Sequence, residues 1–191
     1  MHRDFEPPAR PEGYEAPRSA EELLERYAAG ERYFQHADLG GAELQGVDLR
    51  GVNLEDADLE DAQLQGADLS GAWLRSANME DSDFTGAKLV GANLRGSYFH
   101  GADWTEVDLT DAAVPSGNGR AVCLKGAIMR EAHMPFINLI AANLEGADLR
   151  GANLSEGRIP RGNLRGADLR GTNLTEVDLL GADLEGALRD E

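Results

Sequence analysis

A repeat with a period of five residues runs through most of this 191-residue chain. Every fifth position from Phe34 to Leu184 gives 31 positions, and 30 of them are apolar, with Gly119 as the exception. Ala dominates a second column two residues earlier, Asp or Asn fills much of the position between, and Gly often stands two residues after the large residue. The consensus is A-(D/N)-L-x-G, as in ADLSG at 67–71 and ANLRG at 92–96.

This period matches neither the 3.6 residues of an α-helix turn nor the two-residue alternation of a flat strand. Two residues apart, Ala and Leu point to the same side of a short extended segment, and a Gly lets the chain turn with positive φ. Each pentapeptide is therefore predicted to form one edge and one corner of a coil. Such coils become stable only by stacking, so the pattern predicts an all-β solenoid.

The motif resembles that of the pentapeptide repeat family over residues 34–188. This resemblance implies a right-handed quadrilateral β-helix with four pentapeptides in each coil. On that basis the 31 repeats would form about seven and a half coils and a rod about 36 Å long, at a spacing of ~4.8 Å per coil. The repeat region is assigned to residues 31–188.

The N-terminal end of the solenoid is predicted to carry a capping α-helix within residues 19–30. Ser19 and Glu22 form a capping box at its start, and Gly30 is a suitable stop. Residues 1–18 contain four prolines and no periodic pattern, which predicts a flexible, Pro-rich arm.

The C-terminal end has no comparable cap, and residues 189–191 form a short charged tail. Two arrangements are open. In one, Leu188 folds over the last coil and the chain is a monomer. In the other, two chains stack end to end through the C-terminal coil, as the family resemblance allows.

The pattern weakens once, at residues 115–121, where PSGNGRA replaces the consensus. A Pro followed by Gly-Asn-Gly is typical of loops. The five-residue phase survives, because Leu124 lies ten residues after Val114. Either one pentapeptide is deformed in place, or five residues are inserted as a surface loop. Such breaks often mark a binding face of a solenoid, which makes Asn118 a candidate contact residue.

No catalytic or metal-binding arrangement is evident, and we expect neither enzymatic activity nor a cofactor. The four histidines lack metal-ligand spacing, and the single cysteine, Cys123, is expected to be a surface thiol. No apolar stretch is long enough to span a membrane, and the N-terminus lacks the apolar segment of a secretory signal. A cytoplasmic location is the default expectation.

Acidic residues are concentrated in the first half of the repeat region. The chain has a formal net charge of −17, of which residues 31–114 carry 17 acidic and 5 basic side chains. This argues against direct binding to nucleic acid. Four-sided geometry would stack the acidic side chains into a candidate partner-binding cluster comprising Glu55, Asp56, Asp58, Glu60, Asp61, Glu80 and Asp81.

Several outward positions are apolar rather than polar: Tyr33, Trp73, Tyr98, Phe136, Ile140 and Leu180. Among these, Trp73 is the candidate anchor for a partner. The sequence thus predicts a protein–protein interaction scaffold with an unidentified protein partner. The alternative comes from the family resemblance: quinolone-resistance members imitate duplex DNA and bind DNA gyrase in its place, and the acidic half here matches the charge of a duplex of similar length.

Overall fold

The computed structural model describes residues 7–190. One helix, α1, spans Ala20–Ala28, and every fifth residue from Tyr33 to Leu188 forms an isolated parallel β-bridge. The extended edges are so short that pairing is confined to single-residue bridges. Each bridge joins residues 20 apart, as in Tyr33 with Asn53. A coil therefore contains four pentapeptides, and the predicted β-helical solenoid is confirmed.

Three backbone hydrogen bonds per pentapeptide connect neighbouring coils. The Leu39 N–H donates to the carbonyl of Asp58 in the next coil at 2.9 Å, and the Gly41 N–H donates to the carbonyl of Glu60 there at 2.7 Å. In the other direction, the Asp58 N–H donates to the carbonyl of Ala37 at 2.9 Å. The parallel sheet is thus divided into narrow ladders that run along the rod.

The Asp/Asn column satisfies a backbone donor that the ladders leave free. Its side-chain oxygen accepts from the N–H two residues later, as Asn53 Oδ1 does from Glu55 at 2.9 Å and Asp83 Oδ1 from Thr85 at 2.9 Å. Asn side chains also stack from coil to coil, since the Asn163 amide donates to Asn143 Oδ1 at 3.0 Å. The Asp and Asn side chains of this column therefore stabilise the turns of the coil on every wall.

Each coil has four corners and four flat walls. The corner residue always adopts positive φ, whether it is Gly41 (φ 64) or Phe136 (φ 60). We name each wall after one residue and define it by its outward positions, which recur every 20 residues. The Trp73 wall holds positions 33 to 173, the Tyr98 wall 38 to 178, the Asp103 wall 43 to 183 and the Asp148 wall 48 to 188, each together with the residue two positions later.

The interior is filled by the two apolar columns. From coil to coil the Ala and Leu positions are almost completely shielded from solvent. Three of the largest buried side chains form an aromatic cluster, in which the Trp104 ring stacks on Phe99 at 4.5 Å between ring centroids and lies 5.4 Å from Phe84. The core contains no room for a ligand at this point, because the rings occupy it.

Residues 115–121 form a repeat in place and not an inserted loop. Tyr98 bridges Asn118, and Asn118 in turn bridges Asn138, so the 20-residue spacing continues without interruption. Gly119 occupies the position of the large apolar residue, and the Phe99 ring of the preceding coil fills the space. The loop-like sequence therefore results from core packing, because the large Phe99 ring in one coil takes the space that a side chain at Gly119 in the next coil would fill.

The helix α1 caps the first coil. Ser19 Oγ accepts from the Glu22 N–H at 3.2 Å, as the capping box predicts, and Leu23 is completely buried against the core. Arg26 stabilises the cap by donating to Glu22 at 3.0 Å and to Glu31 at 2.7 Å. The start of the solenoid is thereby shielded from solvent.

Part of the segment predicted as a flexible arm is packed on the solenoid, so that prediction is wrong for residues 14–17. The Tyr14 hydroxyl donates to the Gln35 carbonyl at 2.8 Å, and its ring meets Tyr33 edge-on at 4.7 Å. The Asp38 N–H donates to the carbonyl of buried Pro17 at 2.9 Å, which extends the ladder by one bond. Residues 1–6 of the predicted arm lie outside the described residues.

Leu188 does not fold over the last coil as one of the two C-terminal arrangements requires. It bridges Asp168 at an outward position of the Asp148 wall and keeps 51% of its surface exposed. The apolar residues of the last coil, Leu174, Leu179 and Leu184, are only partly buried. End-to-end dimerisation stays a prediction, and residue 191 of the predicted tail lies outside the described residues.

Candidate protein-binding surface

Most of the predicted contact residues lie on one wall or at its two corners. Asp58, Glu60 and Asn118 occupy outward positions of the Tyr98 wall, and Glu80 occupies another one coil after Glu60. The corner residues that border this wall include three more of the predicted set: Asp56, Asp61 and Asp81. The stacking expected from four-sided geometry therefore holds for these acidic side chains. Their role in binding stays a prediction.

The acidic side chains of the Tyr98 wall have no cationic partners among residues 7–190. The carboxylates that do form ion pairs within residues 7–190 are Glu22, Glu31, Asp48, Glu145, Asp148, Asp168, Asp183 and Glu185. Only amides approach the cluster, with the Asn78 side chain donating to Asp58 at 3.3 Å and to Glu60 at 3.2 Å. This end of the wall thus presents uncompensated negative charge.

On the opposite side of the coil, charges are paired. Arg130 and Arg150 both bind Asp148, at 2.6 and 2.8 Å, and Arg170 binds Asp168 at 2.5 Å. The hydrogen bond from Arg150 holds the pKa of Asp148 well below its usual range, although partial burial acts in the opposite direction. The Asp148 wall is therefore an internally compensated surface, whereas the Tyr98 wall is not.

Two predicted contact residues lie elsewhere. Trp73 and Glu55 belong to the neighbouring Trp73 wall, where both are half-buried. Burial is the main reason that the pKa of Glu55 is raised, with Arg75 opposing it. Tyr33, on the same wall, is only 7% exposed because Tyr14 covers it. Within the 115–121 segment, Pro115 is an outward position of this wall two coils after Trp73, whereas Asn118 lies on the Tyr98 wall.

Of the four large apolar residues that are exposed within residues 7–190, all but Leu188 lie on the Tyr98 wall or at its corner. Tyr98 is 48% exposed, Phe136 54% and Leu180 78%. Between them, Ile140 and Pro160 occupy the same outward column as Leu180 in the two preceding coils and are half-buried. Sequence inspection identified most of these residues singly, but not that they share a wall. Aligning the outward positions at intervals of 20 would have revealed it.

Within residues 7–190, no group of three or more His, Cys, Asp or Glu side chains is placed to hold a metal ion. Cys123 is half-buried and its Sγ lies 3.2 Å from Thr105 Oγ1. In the same part of the chain, no helix is long and apolar enough to cross a bilayer.

A family model for pentapeptide repeats matches the chain in eight copies, which cover residues 33–66, 62–101, 87–113, 122–155 and 161–188. No curated protein is significantly similar to the chain. Among solved structures, alr5209, a pentapeptide repeat protein from Nostoc PCC 7120, is 33% identical, with 58% of this chain and 84% of that chain covered and a TM-score of 0.47.

Two further structures match over most of their length. HetL, a pentapeptide repeat protein involved in heterocyst differentiation regulation from the cyanobacterium Nostoc sp. strain PCC 7120, is 28% identical over 89% of this chain and 94% of that chain, with a TM-score of 0.36. QnrB1, a plasmid-mediated fluoroquinolone resistance protein, is 22% identical over 85% and 84% of the two chains, with a TM-score of 0.52. The latter likeness concerns the fold alone.

Proposed function

The chain belongs to the pentapeptide repeat family, and from this we propose that it is a non-catalytic scaffold that binds another protein through a flat wall of its β-helix. Members of this family form right-handed β-helices and are in general structural repeat proteins without enzymatic activity. We take the solenoid to have about seven and a half coils, hence a length of about 36 Å.

The distribution of polar and apolar side chains supports this proposal. Enzymes require polar groups that converge in a concave, partly dry site. Here Ala and Leu fill the interior, and the Asp and Asn side chains are engaged in corner hydrogen bonds. A long flat surface suits protein recognition better than small-molecule chemistry.

The observation that carries the proposal is the exposure of Tyr98, Phe136 and Leu180 on a single wall. Isolated exposed apolar residues are common on soluble proteins. A group of them on one face, including two aromatic rings, is typical of interfaces, where aromatic anchors supply much of the binding energy.

The proposal is tested by purifying the tagged full-length chain from cells that produce it naturally, and by measuring binding of each co-purified protein to the isolated chain by calorimetry. We expect a saturable complex with at least one protein. The absence of any reconstituted complex, together with turnover of a small molecule by the purified chain, would contradict a scaffold role.

A second candidate function is imitation of duplex DNA toward DNA gyrase or a related topoisomerase. The uncompensated acidic side chains at 56–61 and 80–81 favour it, because a DNA-binding groove attracts unpaired negative charge. Residues 31–114 carry a net charge of −12 over about four coils, and duplex DNA carries a similar charge over the same roughly 20 Å. Mixed charge in the later half of the chain limits this imitation to one end of the rod.

Binding to purified DNA gyrase at two salt concentrations, with and without duplex DNA, tests this alternative. DNA mimicry predicts binding that duplex DNA displaces and that high salt abolishes. Reversing Glu60, Asp61, Glu80 and Asp81 to Lys is expected to abolish it. The matched control reverses Glu43, Glu106, Asp111 and Glu131, which changes the net charge equally on other parts of the surface. Equal loss in both variants, or no binding at all, would contradict the alternative.

A further inference from the structure

Most of the corner residues that are not Gly lie at the two corners that border the Tyr98 wall. Fifteen non-Gly residues have positive φ, and twelve of them border this wall. The other two corner columns hold Gly at twelve positions and a non-Gly residue at three, Glu106, Asp111 and Glu131. The twelve are His36, Asp56, Asp61, Ser76, Asp81, Ser116, Ala121, Phe136, Ala141, Glu156, Arg161 and Glu176.

This bias is unfavourable for the fold. Only Gly adopts positive φ without a clash between its Cβ and the backbone, so every other residue strains the corner it occupies. Phe136 is the clearest case, because a bulky aromatic residue at φ 60 is rare and this one is 54% exposed. Its side chain gains little from the core to offset the strain. Strained residues that packing does not explain are typical of binding surfaces.

The Tyr98 wall has a defined order of surface chemistry along the rod. Its first part is acidic, at Asp58, Glu60 and Glu80. The apolar part begins one coil later at Tyr98 and continues through Phe136 and Ile140 to Leu180. Adjacent coils are about 4.8 Å apart, so the acidic and apolar parts are contiguous.

Positive charge lies within the apolar part. Arg120, Arg158 and Arg161 are exposed on this wall or at its corner and form no ion pair within residues 7–190. Arg158 and Arg161 share their levels of the rod with the exposed Glu156, Glu176 and Asp178, so the charge of this later part is mixed. The part of the wall from Asp56 to Asp81 carries acidic side chains and no basic ones, and a basic segment would therefore be attracted to that end of the wall.

We propose that the Tyr98 wall is the docking surface, and that it receives a protein segment with a Lys/Arg cluster followed by apolar side chains. The inference rests on the proposed scaffold function and assigns it a wall and a partner class. The Lys and Arg side chains would face the unpaired carboxylates at 56–61 and 80–81. The apolar side chains would cover Tyr98, Phe136 and Ile140, over the two coils, about 10 Å, between the levels of Tyr98 and Ile140.

Four consecutive outward positions of one coil allow a matched test of this assignment. Arg95, His100, Thr105 and Thr110 lie on the Trp73, Tyr98, Asp103 and Asp148 walls, respectively. Each is replaced in turn by the photocrosslinker p-benzoylphenylalanine in the full-length chain, inside cells that produce the chain naturally. Crosslinked peptides of the partner are sequenced by mass spectrometry, and the yields from the four walls are compared.

We expect the His100 position to give about tenfold more crosslinking than the other three, and the crosslinked segment to contain both Lys/Arg and apolar residues. Predominant crosslinking from another wall would overturn the inference while leaving the scaffold function intact. A crosslinked segment without basic residues would overturn it as well. No crosslinking from any wall would count against both the inference and the scaffold function.

Discussion

The Phe99 ring occupies the space that a side chain at Gly119 would need: a Cβ built on Gly119 would lie 2.6 Å from Phe99 Cδ2 and 2.9 Å from Cζ. The two residues stand at equivalent positions of adjacent coils, 20 residues apart. A large ring in one coil is thus balanced by a missing side chain in the next. The most irregular repeat in the sequence is therefore required by the core.

Restoring the consensus at this position should destabilise the protein. Gly119→Leu would force the new side chain into the Phe99 ring, and we expect a loss of about 3 kcal/mol in the free energy of unfolding by urea denaturation. Gly40→Ala is the matched control, because its nearest neighbour would be the Glu60 carbonyl oxygen at 3.8 Å.

The double variant Phe99→Leu/Gly119→Leu should recover much of that loss, since both coils then follow the consensus. Recovery is expected to be incomplete because Phe99 also stacks on Trp104. Additive effects of the two substitutions would contradict direct competition for one space.

The period of five was sufficient to predict the solenoid because core, turn and ladder all repeat in it. Gly119 lay beyond such reasoning, since its partner is 20 residues away and the sequence around 115–121 has the composition of a loop. The docked segment at Tyr14 was missed for a related reason. Its contacts with Gln35 and Tyr33 depend on where the first coil exposes a carbonyl and a ring, and no periodic pattern indicates that.

The candidate site was predicted only in part. Acidic stacking at Asp58 and Glu80 followed from a 20-residue coil. Trp73 was favoured over Tyr98 because exposure cannot be inferred from an outward position alone. Tyr33 shows the same difficulty, since a segment outside the repeat covers it.

In Phe136→Gly, relief of backbone strain should offset the stabilisation that is lost with the side chain. At φ 60 the Phe strains the corner, but Gly increases the entropy of the unfolded chain. We expect the free energy of unfolding to change by less than about 1 kcal/mol. The converse variant, Gly146→Ala, has open space around it at φ +66 and should still lose about 1 kcal/mol. A large loss in Phe136→Gly would show that Phe136 is held by packing.

The docked segment should respond to alkaline pH through Tyr14. Burial is the main cause that raises the pKa of Tyr14 to about 12, and nearby Arg26 opposes it. Because the folded pKa is raised, the stabilisation is complete below the ordinary value of about 10 and is lost as the pH rises through 12. Burial also raises the pKa of Tyr27, so absorbance titration at 295 nm should show late ionisation that decreases by one tyrosine in Tyr14→Phe. Unchanged late ionisation in that variant would contradict the assignment.

Acid should weaken the Asp148 wall. Arginine hydrogen bonds lower the folded pKa of Asp148, so its stabilising effect is present above the unfolded value of about 3.9. It is lost as the pH falls through the lower folded pKa. Asp148→Asn should therefore reduce Tm at pH 7, with the difference from the unmodified chain shrinking below about pH 4.

Asp68→Asn provides the control for that series. Asp68 lies on the same wall and accepts from the Ser70 N–H at 3.0 Å, but it forms no ion pair within residues 7–190. Its substitution should change Tm less at pH 7. Equal pH profiles for the two variants would mean that the arginine contacts of Asp148 do not stabilise the fold.

The most direct test of wall-specific docking is the affinity of the crosslinked partner for two variants, measured by titration calorimetry. Tyr98→Ala/Phe136→Gly removes exposed rings from the Tyr98 wall, whereas Leu188→Ala removes a side chain of similar exposure from the opposite Asp148 wall. We predict that the first variant weakens binding by about tenfold or more and that the second leaves Kd within about twofold. Equal affinities for the two variants would contradict docking through the Tyr98 wall.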